Sequence, residues 1–124
     1  MHAVVETHVY LATAKRSGLT EAERTIIVNF LAMHPRVGDE IPGTGGARKI
    51  RFPAPGRGKR GGYRVITFYS GVDVPVFLMT VYSKSRKEDM TQAERNELKR
   101  ELEGLIADYT EGITRYVKTR TRTH

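Results

Sequence analysis

Apolar and polar residues alternate at the start of the chain, where Val5, Thr7, Val9 and Leu11 are interleaved with Glu6, His8 and Tyr10. A period of two predicts a half-buried strand. Lys15, Arg16, Ser17 and Gly18 break it. The period then lengthens. Ile26, Ile27, Phe30 and Leu31 recur at helical spacing and predict a helix with these four as its buried stripe. Thr20 is a good N-cap, Glu23 three residues on completes a capping box, and His34-Pro35 closes the helix. Residues 38–46 read as loop.

Three strand-like runs follow, 48–52, 63–69 and 74–82, the last long and apolar as a central strand is. PAPGRGKRGG joins the first two and is too long for a two-residue hairpin; Ser70 to Asp73 joins the second and third. Thr91 and Glu94 make a second capping box ahead of Leu98, Leu102, Leu105 and Tyr109, an amphipathic helix weakened by Gly104 and ended or bent by Gly112. The predicted order is β-α-β-β-β-α, a small antiparallel β-sheet with packed helices, in an α+β fold. It occupies one domain, residues 1–112, with a basic extension at 113–124.

Charge adds what the pattern does not. The chain holds 21 Lys and Arg against 14 Asp and Glu, a net of +7. All of that excess sits in GTGGARKIRFPAPGRGKRGGYRV, residues 43–65, which contains Arg48, Lys49, Arg51, Arg57, Lys59, Arg60 and Arg64 and no acid. A segment with seven cations and no counter-charge of its own points to a polyanion. There are no cysteines, so neither disulfides nor thiolate zinc sites arise. The N-terminus lacks the basic and apolar regions of a signal peptide, and no apolar run approaches membrane-spanning length. A soluble cytoplasmic protein is the expectation.

On a strand, side chains alternate faces. If Ile50 and Phe52 face the core with Arg48, then Lys49 and Arg51 stand together on the other side, where like charges repel. Arg64 begins the next strand and is expected near Arg51. The third strand ends in Tyr82-Ser83-Lys84, with Arg86 and Lys87 beyond; this end is expected on the edge where the first strand of the meander starts. Lys49, Arg51, Arg64 and Lys84 would then line one concave surface, with Tyr82 as a base-stacking or hydroxyl partner. Cations interleaved with aromatic residues on a sheet suit single-stranded RNA. RNA brings its own nucleophile, the 2′-OH. The protein must supply a base for that proton, a cationic clamp for the phosphate and an acid for the 5′-oxygen. Arginine does not deprotonate, so Arg51 and Arg64 suit the clamp, and Lys49 or Lys84 the base or acid. That chemistry needs no metal and no cofactor. Gly56, Gly58 and Gly61 spell GxGxxG, but a strand rather than a helix follows, so a dinucleotide site is not supported.

GTGGARKIRF, GRGKRGGYRVITFY and VFLMTVYSKSRKEDMTQAE resemble the HigB-type branch of the RelE/ParE toxin superfamily. The resemblance runs in order from the first strand to the last helix. It implies a type II toxin, a ribosome-dependent endoribonuclease that cuts mRNA in the ribosomal A site, held inactive by a cognate antitoxin of the HigA kind, itself possibly DNA-binding. It implies catalytic roles for Lys49, Arg51, Arg64 and Lys84. The residues themselves, apart from the resemblance, suggest RNA or ribosome contact for Arg48, Tyr82, Arg86 and Lys87, and ribosomal RNA or antitoxin contact for Arg57, Lys59 and Arg60. RelE itself carries a second lysine where this chain has Arg51, and a tyrosine after the last strand that has no clear match here. Which lysine is the base stays open. Two other readings use the same chain: a ParE-like toxin directed at a topoisomerase, and a non-catalytic RNA-binding module.

Overall fold

The alternation at residues 5–11 yields only three strand residues before the chain turns into a helix. In the computed structural model, which describes residues 2–53, 62–71, 74–83 and 89–110, β1 spans Val4–Glu6 and α1 spans His8–Arg16. The predicted strand is corrected here for a physical reason. Thr7 is an N-cap: its hydroxyl accepts from the Tyr10 amide at 3.2 Å and donates to the Leu78 carbonyl at 2.7 Å, so it starts the helix and ties it to the sheet. From Thr7 on, burial follows the helical period, with Tyr10 and Ala14 inside and Val9 47% exposed.

The second helix, α2, spans Glu21–Met33 and has the predicted capping box, Thr20 amide to Glu23 Oε1 at 2.9 Å and Glu23 amide to Thr20 Oγ1 at 3.1 Å. Its buried face is Ile27, Val28, Leu31 and Ala32. The predicted stripe is therefore only partly right: Ile26 has 61% of its surface in solvent, and Phe30 sits at the margin of the buried face, its ring edge-on to Phe52 at 5.5 Å.

Four strands follow: β2 Asp39–Glu40, β3 Ala47–Phe52, β4 Tyr63–Phe68 and β5 Val76–Ser83, and then α3, Gln92–Thr110. The sheet order is β1-β5-β4-β3-β2, with β1 parallel to β5 and the other neighbours antiparallel. The α+β class holds, and the observed order β-α-α-β-β-β-β-α adds α1 and the two-residue β2 to the predicted one. Gly38 prepares the β2–β3 pairing. Its φ is +105°, and a Cβ there would sit 2.7 Å from the Ile50 side chain and 2.8 Å from the Lys49 carbonyl, so only glycine fits.

Helices cover both faces of the sheet. On one, α1 and α2 pack over Val4, Ile50, Tyr63, Val65, Leu78 and Val81. On the other, Leu98, Leu102 and Leu105 of α3 pack over Val5, Ile66, Phe68, Phe77 and Met79. The α3 stripe is the predicted one, and its capping box is formed, with the Thr91 amide 2.8 Å from Glu94 Oε1 and the Glu94 amide 3.1 Å from Thr91 Oγ1. No helix among the described residues is long and apolar enough to cross a membrane.

Candidate active site

Strand register assembles the cationic residues. Arg51 of β3 stands opposite Arg64 of β4, and Arg64 stands opposite Tyr82 of β5, so the three form one row across the sheet. The predicted placement of the strand ends needs correction. In an antiparallel meander the first and third strands run the same way. The C-terminal end of β5 therefore lies level with the end of β3, not its start: Ser83 is opposite Tyr63, which is opposite Phe52. Arg51 shares the level of Tyr82, and Lys49 sits one pleat away, opposite Ile66.

A β-bulge makes the row possible. Ile66 pairs with Thr80 but Thr67 pairs with Leu78, which leaves Met79 as the extra residue. Leu78 and Val81 both face α1 and α2, while Phe77, Met79 and Tyr82 face α3. Without the extra residue, strict alternation from Phe77 would turn Tyr82 to the opposite face, away from Arg64. The bulged strand is held by Thr13, whose hydroxyl accepts from the Val81 amide at 3.1 Å.

Arg64 is 5% exposed, and its Nη1 has no hydrogen-bond partner among the described residues. Arg51, directly across from it, is exposed. Two cations paired across strands repel, and a buried guanidinium with an unused donor costs desolvation that nothing described here offsets. An anion would relieve both. Tyr82 is 9% exposed and belongs to the α3-side core, so its ring is not a surface on which a base can stack. Its phenol is pushed up to about 12, first by burial, then by Asp89; Arg64 opposes the shift. It stays protonated at any physiological pH.

Sequence reasoning missed Asp89 and Arg95. Asp89 Oδ1 lies 3.4 Å from Lys49 Nζ, and Asp89 Oδ2 lies 3.3 Å from an Arg95 guanidinium nitrogen. This carboxylate ties β3 to the first turns of α3. Its pKa is lowered, mainly by the hydrogen bond it accepts from the Met90 amide and then by Lys49 and Arg95. The signal was present in the sequence as an acid two residues before a capping threonine, where a helix N-terminus favours negative charge. A depressed carboxyl contributes stability that is complete at neutral pH and lost only as pH falls through its folded-state value. Because Asp89 is 46% exposed, that contribution is small. Asp89→Asn is expected to leave the melting temperature within a few degrees, to tighten single-stranded RNA binding several-fold at low salt, and to steepen the slope of log K against log salt by about 0.7. Binding measured by anisotropy across a salt series checks this; weaker binding would mean that Asp89 positions a ligand contact rather than screening the site.

The basic segment is thus less bare than its sequence indicates. Flanking acids supply partners, Asp89 for Lys49 and Glu40 for Arg48 at 3.5 Å. Arg48 does not join the row. Strand alternation sends it to the other side, and its guanidinium donates to the Gly38 carbonyl at 3.0 Å. Lys84, Arg86 and Lys87, and the loop cations Arg57, Lys59 and Arg60, lie outside the described residues. Among the described residues, no group of three or more His, Asp or Glu side chains gathers as metal ligands do.

A family model described as the RelE toxin of the RelE/RelB toxin–antitoxin system matches residues 39–122. The match takes in β2 through α3, the elements that carry Lys49, Arg51, Arg64, Tyr82 and Asp89. It spans well over half of the chain, and the protein belongs to the RelE toxin family.

Proposed function

We propose that this toxin is a metal-independent endoribonuclease that cuts mRNA in the ribosomal A site, acts in the cytoplasm, and is neutralised by a cognate antitoxin of the HigA kind. The observation that supports this most is the Arg51–Arg64 pair, two cations held opposite each other with a buried guanidinium donor unused among the described residues. A bridging phosphate fits between such groups, and a negative pentavalent phosphorus fits better than the ground state because its added charge meets fixed donors.

In the proposed reaction a base takes the proton of the 2′-OH, the oxygen attacks phosphorus, and the 5′-oxygen leaves with a proton from an acid. A 2′,3′-cyclic phosphate and a 5′-hydroxyl end result. Arg51 and Arg64 hold the phosphate. Lys49 or Lys84 moves the protons. Tyr82, opposite Arg64, is a positioning residue, kept neutral by its raised pKa. Tyr82→Phe is therefore expected to lower the cleavage rate while the shape of the rate profile between pH 6 and 10 stays the same. An alkaline limb that disappears in this variant would give Tyr82 a proton-transfer role instead.

The cellular test is the order of arrest. Induced expression should stop incorporation of labelled amino acid before that of labelled thymidine. The reverse order would favour a topoisomerase target.

A further inference from the structure

A groove of about 640 Å³ runs between α1 and α3 over the far half of β5. Its floor is apolar, formed by Val9, Met79, Val81 and Leu98. One wall is acidic: Glu94, Glu97 and Glu101 of α3 fall at intervals of three and four residues and share one side of the helix. A second hollow of about 590 Å³ shares Val9, Met79 and Glu101 with the first and continues it past Gly104 and Leu105, towards the C-terminal end of α3. Glu97 has Arg100 as a partner at 2.8 Å, but Glu101 has no ion pair among the described residues, and burial, with Glu97 beside it, pushes its carboxyl up. Arg16 and Arg100 also line the two hollows, Arg100 taken up by Glu97, and neither pairs with Glu101 among the described residues.

The chain carries a segment that is both apolar and basic. Residues 111–124, EGITRYVKTRTRTH, combine Ile113, Tyr116 and Val117 with Arg115, Lys118, Arg120 and Arg122. They follow directly on α3, at the end where the second hollow opens. From Thr110 back to Glu101 is about 14 Å along a helix, and seven extended residues reach about 23 Å, so position 117 can reach the groove.

We propose that residues 111–124 fold back along α3 and occupy this groove, with apolar side chains on its floor and basic ones against Glu97 and Glu101. Docked there, the tail cancels a negative wall that stands beside the cationic row and repels RNA.

The absence of cysteine makes the test direct. A nitroxide spin label on Val117→Cys in the full chain should broaden the amide signals of Thr13, Ala93 and Leu98 to below half their diamagnetic intensity. Asn29 and Met33 on α2 should keep theirs. Added Glu101→Lys should restore the groove signals at least twofold, whereas Glu103→Lys, the same charge change on an exposed residue of α3, should not. A label on Thr119→Cys that gives the same pattern excludes an effect of one label position. Groove signals at full intensity with both labels overturn the proposal. So does broadening that appears when labelled protein is mixed with unlabelled isotope-enriched protein, because the occupant is then a second copy's tail. Broadening indifferent to Glu101→Lys overturns the charge pairing.

Discussion

Arg64→Met is expected to lower cleavage by about 10²–10³-fold, the usual effect of removing one preorganised donor to a developing oxyanion, and to do so without unfolding the protein. Arg64 is 5% exposed in the centre of the sheet, paired with a second arginine on one side and with Tyr82 on the other. Its charge is desolvated, and Nη1 finds no acceptor among the described residues. Replacing a poorly compensated buried ion by an apolar side chain of similar volume is often neutral or stabilising by about 1–4 kcal/mol. The variant should therefore melt at or above the temperature of the parent, keep its circular dichroism spectrum, still bind antitoxin, and fail to arrest growth. Loss of activity together with a lower melting temperature would make Arg64 a structural residue and remove the argument for a phosphate clamp. Lost activity with preserved stability is what a site that stores strain for function produces.

The second large effect is on stability. Glu6 in β1 is 0% exposed and accepts from Arg24 Nε of α2 at 2.9 Å. Removing one partner of a buried ion pair leaves a desolvated charge behind, and Arg24→Ala is expected to cost about 3–5 kcal/mol. For a domain of this size that corresponds to a fall of about 10–20 °C in melting temperature. The added change Glu6→Gln should recover part of the loss, because a neutral amide is less costly to bury than a carboxylate. A thermal or urea melt of the two variants decides it. If Arg24→Ala melts with the parent, other contacts of Glu6 satisfy the carboxylate and the pair is incidental.

How much of this was legible in the sequence depends on the range of the forces involved. Both capping boxes, the stop at His34-Pro35 and the buried face of α3 follow from residues three or four apart, and they appear in the structure as read. The switch from strand to helix after Glu6 was not legible, because Val5, Thr7, Val9 and Leu11 fit a strand pattern and the deciding contact, Thr7 to Leu78, joins residues far apart in the chain. The α2 stripe was half legible, since sequence gives the periodicity but not which neighbouring pair of rows meets the sheet. For the site, the shared face of Lys49 and Arg51 and the nearness of Arg51 to Arg64 followed from strand period and pairing alone. The level of Tyr82 was misplaced by a strand-direction error, and its face depends on the bulge at Met79, which no local pattern announces. Asp89 was missed because its pairing with Lys49 joins residues 40 apart in the chain.

The most direct measurement is cleavage of end-labelled mRNA by the purified protein, with programmed ribosomes in one tube and naked mRNA in the other, in the presence of EDTA on preformed complexes. A single set of cuts in the A-site codon is expected, only with ribosomes, ending in 2′,3′-cyclic phosphate and absent with Arg64→Ala. Intact mRNA in both tubes, from protein that still arrests growth in cells, would contradict A-site cleavage.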